Sequence, residues 1–240
     1  MFKDFIKKLV FIGIALVGLT AVIAIHELGH WSFCKLFGVY TPRFSIGFGP
    51  TLLKKEIAQT EFVLAAIPLG GYVSIAGVDT TTPEWLLPYS FISKPYWQKA
   101  LILLGGILFN ILFGLGILAL YYLARRLRTQ STSPSLTSDN HAQFIGPLGI
   151  INFISQAAQA GFSSYALTLA ILSLNLAVFN LIPLPFFDGG QLLTYSIEAL
   201  MGKSLDSTAY DIVSLVSLVA LILFILFISF KDLTRFFKKQ

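Results

Sequence analysis

LVFIGIALVGLTAVIAIHELGH, residues 9–30, is an uncharged apolar run that ends in three ionisable side chains, His26, Glu27 and His30. A run of this length and composition reads as a membrane-spanning helix. His26 and His30, four residues apart on a helix, lie one turn above the other, so both imidazoles can reach one metal ion. Glu27 stands beside that ion without being drawn into binding it, and can take a proton from a water molecule there. The spacing points to a zinc site with Glu27 as general base. Three ionisable groups at the end of a membrane helix are unfavourable unless they act together.

The rest of the chain agrees with a membrane setting. Its 240 residues are 55% apolar and its mean hydropathy is +0.77, outside the range of soluble domains. The expected fold is a polytopic α-helical membrane protein, one domain over 1–240. Its spans lie at about 9–37, 99–124, 163–184 and 211–230, with a small membrane-associated β-sheet at 39–77 between the first two. The net charge of +5 comes from Lys and Arg grouped beside the spans, where they anchor to lipid headgroups, so no nucleic-acid partner is expected. Met1–Lys8 imitates a secretory signal, but the same helix continues into the ligands, so cleavage is not expected. Cys34, the single cysteine, excludes an internal disulfide; four residues after His30, it is either a further ligand or a small apolar side chain between helices.

Gly38 is placed to end the first helix. Beyond it, Phe44, Ile46 and Phe48 alternate with Arg43, Ser45 and Gly47, a strand pattern, and Gly49 with Pro50 marks a turn. A second extended run covers Glu61–Ile67. Such a sheet is either a structural plug or an open edge to which a peptide can add as a further strand. Asp79–Tyr89 reads as a surface loop. In the second span Gly105, Gly106, Gly114 and Gly116 allow close helix approach, and Asn110 must find a partner and is expected to brace the site's helices. Thr129–Gln143, with His141, is a polar linker too short to hold a folded domain.

Phe144–Phe187 is uncharged and longer than one span can use, so it must be broken. Asn152, Ser155, Gln156 and Gln159 give its first part a polar stripe that fits an interfacial helix or a wet cavity. Pro183, Pro185, Gly189 and Gly190 break the chain again at membrane depth, tolerated only where the freed backbone is buried or borders a polar cavity. Asp188 sits at that break and needs a cation, and the ion held by His26 and His30 is the obvious one. Two neutral imidazoles and one carboxylate leave Zn²⁺ with a net positive charge and an open position, the pattern of a hydrolytic site. As a purely structural residue, Asp188 would be a helix N-cap.

Together, His26–His30, Phe44–Pro50 (FSIGFGP), Ile67–Val73 (IPLGGYV), Gly146–Ile150 (GPLGI) and Asn180–Gly190 resemble the site-2 proteases, zinc-dependent intramembrane metalloproteases, and among them the bacterial branch that cleaves anti-sigma factors and signal-peptide remnants. The resemblance implies that His26, His30 and Asp188 bind zinc and that Glu27 activates water. It implies that Asn180 and Asn175 contact substrate or stabilise the transition state, and that the sheet, with Gly70, Gly71 and Tyr72, presents the substrate. The implied partners are single-span membrane proteins within the bilayer. The family's Leu-Asp-Gly is Phe187-Asp188-Gly189 here, and its Ala-Gly-Pro is Gly105-Gly106-Ile107. Many bacterial members carry PDZ domains between the second and third spans, for which Thr129–Gln143 leaves no room.

Two other readings fit fewer of the residues: a membrane zinc transporter or sensor, and an inactive substrate-binding scaffold. Transport favours ionisable groups strung through several spans, whereas here they converge. As to orientation, Lys and Arg number ten on the side of the termini and seven on the other. That favours cytoplasmic termini. The resemblance implies termini outside and a site opening toward the cytoplasm of a bacterial inner membrane, and it is followed because six of the seven lie in one long loop.

Overall fold

A computed structural model gives the fold and describes residues 2–78, 88–127, 147–203, 205 and 207–238. The opening apolar run forms α1 (Phe2–Leu36). At about 1.5 Å per residue, a helix this long exceeds the ~30 Å hydrocarbon layer, so it carries its polar end past the membrane core. It stops where Gly38 takes a φ of 64°, a left-handed turn that favours glycine, and Val39 N–H donates to the Cys34 carbonyl (2.8 Å).

β1 (Arg43–Ile57) and β2 (Thr60–Val73) form the sheet. Gly49 and Pro50 do not reverse the chain. Gly47 and Gly49, at φ 88° and 82°, lie where the register slips, so β1 bends there and continues. The reversal falls at Ala58 and Gln59, at φ 49° and 59°, between the paired residues Ile57 and Thr60. Left-handed glycines serve a bulge as well as a turn, and Ala-Gln lacks the usual hairpin signature, so the sequence points to the wrong pair. Because both strands bend, Phe44–Ile46 pairs with Phe62–Leu64 on one side and with Val73, Tyr72 and Gly71 on the other. The end of β2 thereby becomes an outer edge, with Ser74 N–H donating inward to the Arg43 carbonyl (2.8 Å).

The remaining helices are α2 (Tyr96–Leu127), α3 (Pro147–Ala160), α4 (Phe162–Asn180), α5 (Asp188–Met201) and α6 (Ser207–Lys238). Among the described residues, four segments are long and apolar enough to cross a membrane: Phe5–Leu36, Tyr96–Leu127, Phe162–Asn180 and Asp211–Ile228. The uncharged run breaks twice, at Gly161 and across 181–187. The third span therefore stops at Asn180, short of 184, because Pro183 and Pro185 cannot supply helix hydrogen bonds. On α3, Ser155 is buried while Asn152, Gln156 and Gln159 are exposed. The linker Thr129–Gln143, His141 with it, and residues 79–87 of the expected loop lie outside the described residues.

α2 is the centre of the packing. A Cβ on Gly29 of α1 would collide with the Gly105 carbonyl, and one on Gly114 would stand 2.7 Å from Leu174 Cγ of α4. Such close approaches suit helices that meet in lipid, where van der Waals fit replaces the hydrophobic effect. Cys34 packs with Val39, Phe91, Ile102 and Leu103 in an apolar cluster and is not part of the site.

Candidate metal centre

His26 and His30 come from the buried side of α1, and Asp188 is the first residue of α5. The chain reaches Asp188 because the 181–187 turn packs against α5: a Cβ on Gly189 or Gly190 would run into the carbonyls of Leu181 or Leu184. The N-cap of α5 is Phe187 and no side chain caps it, so Asp188 is not serving as a cap. His26 Nε2 lies 3.1 Å from His30 Nε2 and 3.1 Å from Asp188 Oδ2, and His30 Nε2 lies 3.5 Å from the same oxygen.

These residues fit a zinc ion. Zn–N and Zn–O bonds of 2.0–2.1 Å give a tetrahedron with edges of about 3.3 Å, and the three separations bracket that value. Asp188 Oδ2 is buried and, among the described residues, has no hydrogen bond of good geometry although two ring nitrogens face it. Three lone-pair donors turned on one point are unfavourable without a cation between them. Space is reserved for the rings as well: a Cβ on Gly106 would stand 2.5 Å from His30 Nε2 and 2.6 Å from His26 Cε1.

Other contacts orient the three. His30 Nδ1 lies 2.8 Å from the Ile102 carbonyl. A carbonyl only accepts, so Nδ1 carries the hydrogen and Nε2 is left with the lone pair. The Asn110 amide lies 3.2 Å from His26 Nδ1, so Asn110 does brace the helices. Glu27 Oε2 accepts the outward N–H of Val73 at 3.1 Å, which ties the carboxylate to the sheet edge.

A cavity of about 470 Å³ opens onto the site, lined by His26, Glu27, His30 and Asp188 together with Tyr72, Val73, Ser74, Asn180 and Gln191 among others. Of the expected substrate-contacting residues it contains Tyr72 and Asn180. Asn175 is exposed on α4 away from it. Gly70 and Gly71 lie in β2 outside the lining, with Gly71 closely packed on the Ser45 carbonyl. The sequence reading missed Gln191, which its place three residues after Asp188 on one helix face could have revealed. It also missed Ser173, whose Oγ donates to the main-chain carbonyl of Asn110 (3.0 Å), and the Ile102 carbonyl, which carry no such signal.

A helical membrane scaffold that brings two histidines, an aspartate and a neighbouring glutamate to one buried point defines a metallopeptidase type of centre. The chain belongs to Peptidase family M50, whose profile matches residues 14–224. It is an integral membrane protein, with four helices among the described residues able to span. Three bacterial relatives share the name "Putative zinc metalloprotease". The Synechocystis protein is 25% identical over 80% of this chain and 86% of its own length. Those of Thermotoga maritima and Chlamydia pneumoniae are 45% and 37% identical over 40% and 46% of this chain, but only 20% and 19% of their own lengths.

Proposed function

We propose that this protein is a zinc-dependent intramembrane endopeptidase that hydrolyses peptide bonds in or near the membrane-spanning segments of single-span proteins. The observation that carries the reading is the convergence of His26, His30 and Asp188 beside Glu27, in a cavity bordered by the outer strand edge of the sheet. Bound by the three ligands, zinc would polarise the scissile carbonyl and bring the pKa of water toward about 7.

The chain's own residues supply the rest. A helical substrate hides its carbonyls in main-chain bonds and must unwind before attack. Beyond the Val73 N–H that Glu27 accepts, the outward main-chain groups of Gly71 and Val73 on the outer edge offer the unwound segment replacement hydrogen bonds. Glu27, pinned by Val73 N–H, takes the proton of the attacking water and returns it to the leaving amine. An apolar groove between α1 and the sheet, lined by Val17, Ala21, Leu28, Phe44 and Phe62 among others, suits the lipid-facing side chains of such a substrate. Regulated intramembrane proteolysis or clearance of signal-peptide remnants, in a bacterial inner membrane, is the setting that the sequence resemblance supports.

The test is Glu27→Gln, co-expressed with a panel of single-span membrane proteins. Cleavage should disappear while the purified variant keeps its zinc and its helical spectrum. Cleavage persisting at the wild-type rate would remove Glu27 from this role.

A further inference from the structure

His26 can bind a metal through Nε2 only as the tautomer with its hydrogen on Nδ1, because a ring nitrogen that carries hydrogen has no lone pair to give. A buried N–H of that kind needs an acceptor. The group in place is the fully buried Asn110 side-chain amide, placed with Nδ2 3.2 Å from Nδ1. An amide can face the ring with either end, and the two ends have opposite consequences. If its NH₂ faces the ring, Nδ1 must accept, the hydrogen moves to Nε2, and His26 cannot ligate. If its oxygen faces the ring, Nδ1–H donates to it and Nε2 keeps its lone pair.

Ser173 of α4 sits where the choice is made. Its Oγ is 3.0 Å from the main-chain carbonyl of Asn110 and 3.2 Å from Asn110 Oδ1, the end of the amide placed away from His26. A hydroxyl has one hydrogen. Donated along the shorter contact to the carbonyl, it leaves Oγ as an acceptor, which calls for the NH₂ end of the amide. That choice turns the amide over from its placed orientation, exchanging O and N, and the oxygen then faces His26. His30 needs no such device, since the Ile102 carbonyl is an acceptor whichever way it is approached.

We infer that Asn110 is a positioning residue that fixes the metal-binding tautomer of His26, and that Ser173 holds the Asn110 amide the right way round. The inference rests on the zinc-site reading above and adds to it a relay from α4 through α2 to α1. It makes Asn110 part of the metal site without placing it against the substrate.

The test uses the full chain in lipid nanodiscs, with zinc affinity read by chelator competition and the absorption spectrum of the Co²⁺-loaded protein as a second readout. Asn110→Leu keeps the size and offers no acceptor, so zinc should bind roughly 10- to 100-fold more weakly. Asn110→Asp presents an oxygen at both ends and should bind zinc as the wild type does, with an unchanged cobalt spectrum. Ser173→Ala should weaken zinc binding in the wild-type background and change nothing in the Asn110→Asp background, because a carboxylate has no wrong end. A purely structural role for Asn110 requires Asp and Leu to lose zinc alike, or Ser173→Ala to act equally in both backgrounds; either result overturns the inference. Zinc binding that His26→Ala leaves intact would instead overturn the site reading, and the inference with it.

Discussion

Gly106 has no side chain, and the site depends on that. Its missing Cβ would fall 2.5 Å from His30 Nε2, while the neighbouring Gly105 carbonyl backs onto Gly29. That approach lets the Ile102 carbonyl reach one ring and the Asn110 amide the other. Gly106→Ala should therefore force the rings or the helices apart, destabilising the protein by about 1–3 kcal/mol, as overpacking does, and leaving it short of zinc. Gly116 on the same helix is the control, since a Cβ there meets nothing within 4 Å among the described residues. Metal analysis of the two purified variants decides: full zinc in Gly106→Ala would show that the rings can yield. In the sequence Gly105, Gly106, Gly114 and Gly116 look alike as small residues of one span. Which of them face a neighbour depends on how α2 is turned, and a glycine pattern alone does not say.

At the scale of the element, the sheet matters through one edge. Along the end of β2 the N–H groups alternate, with Ser74 N–H turned inward to Arg43 and Val73 N–H outward to Glu27. Proline is tolerated where an edge N–H points away from the ladder. Val73→Pro should therefore leave the strand pairing and the zinc in place while freeing the Glu27 carboxylate. One hydrogen bond to a charged group contributes about 1.5–3 kcal/mol, so turnover should fall by roughly 10- to 100-fold. Zinc content and turnover measured together test this, and undiminished turnover would mean that Glu27 needs no anchor. The two-residue alternation from Arg43 and the run from Glu61 made the strands legible in the sequence. Their bends were not, because Gly47 and Gly49 can equally bulge or reverse a chain and Ala58-Gln59 carries no turn chemistry. Since those bends make the outer edge, the feature next to the chemistry was the least readable part of the sheet.

Across the whole molecule, the metal centre joins α1 to α5, elements more than 150 residues apart in sequence. Its ligands were legible early: a His-Glu-x-x-His run closing an apolar span, and one carboxylate stranded at a break rich in proline and glycine, have few joint explanations. What surrounds them was less so. The Ile102 carbonyl and the Val73 N–H are main-chain groups, and every residue has those. Ser173 became visible as a partner only once α4 had been laid against α2. The fold thus brings three lone-pair donors together before any ion is counted, with Asp188 Oδ2 left without a well-formed hydrogen bond among the described residues. Zinc bound by these donors stabilises the native state alone, because unfolding separates them. Ligand binding of this kind stabilises by about 4 kcal/mol when free zinc is a thousandfold above its Kd, worth roughly 10 °C in Tm for a chain of this size. Chelation should lower the Tm of the wild type by that order, and zinc added back should restore it. Asp188→Ala removes one of the three donors, so its Tm should hardly respond to either treatment. A wild-type Tm indifferent to chelator, in protein shown by metal analysis to have lost its zinc, would mean that α1 and α5 are held together by packing alone.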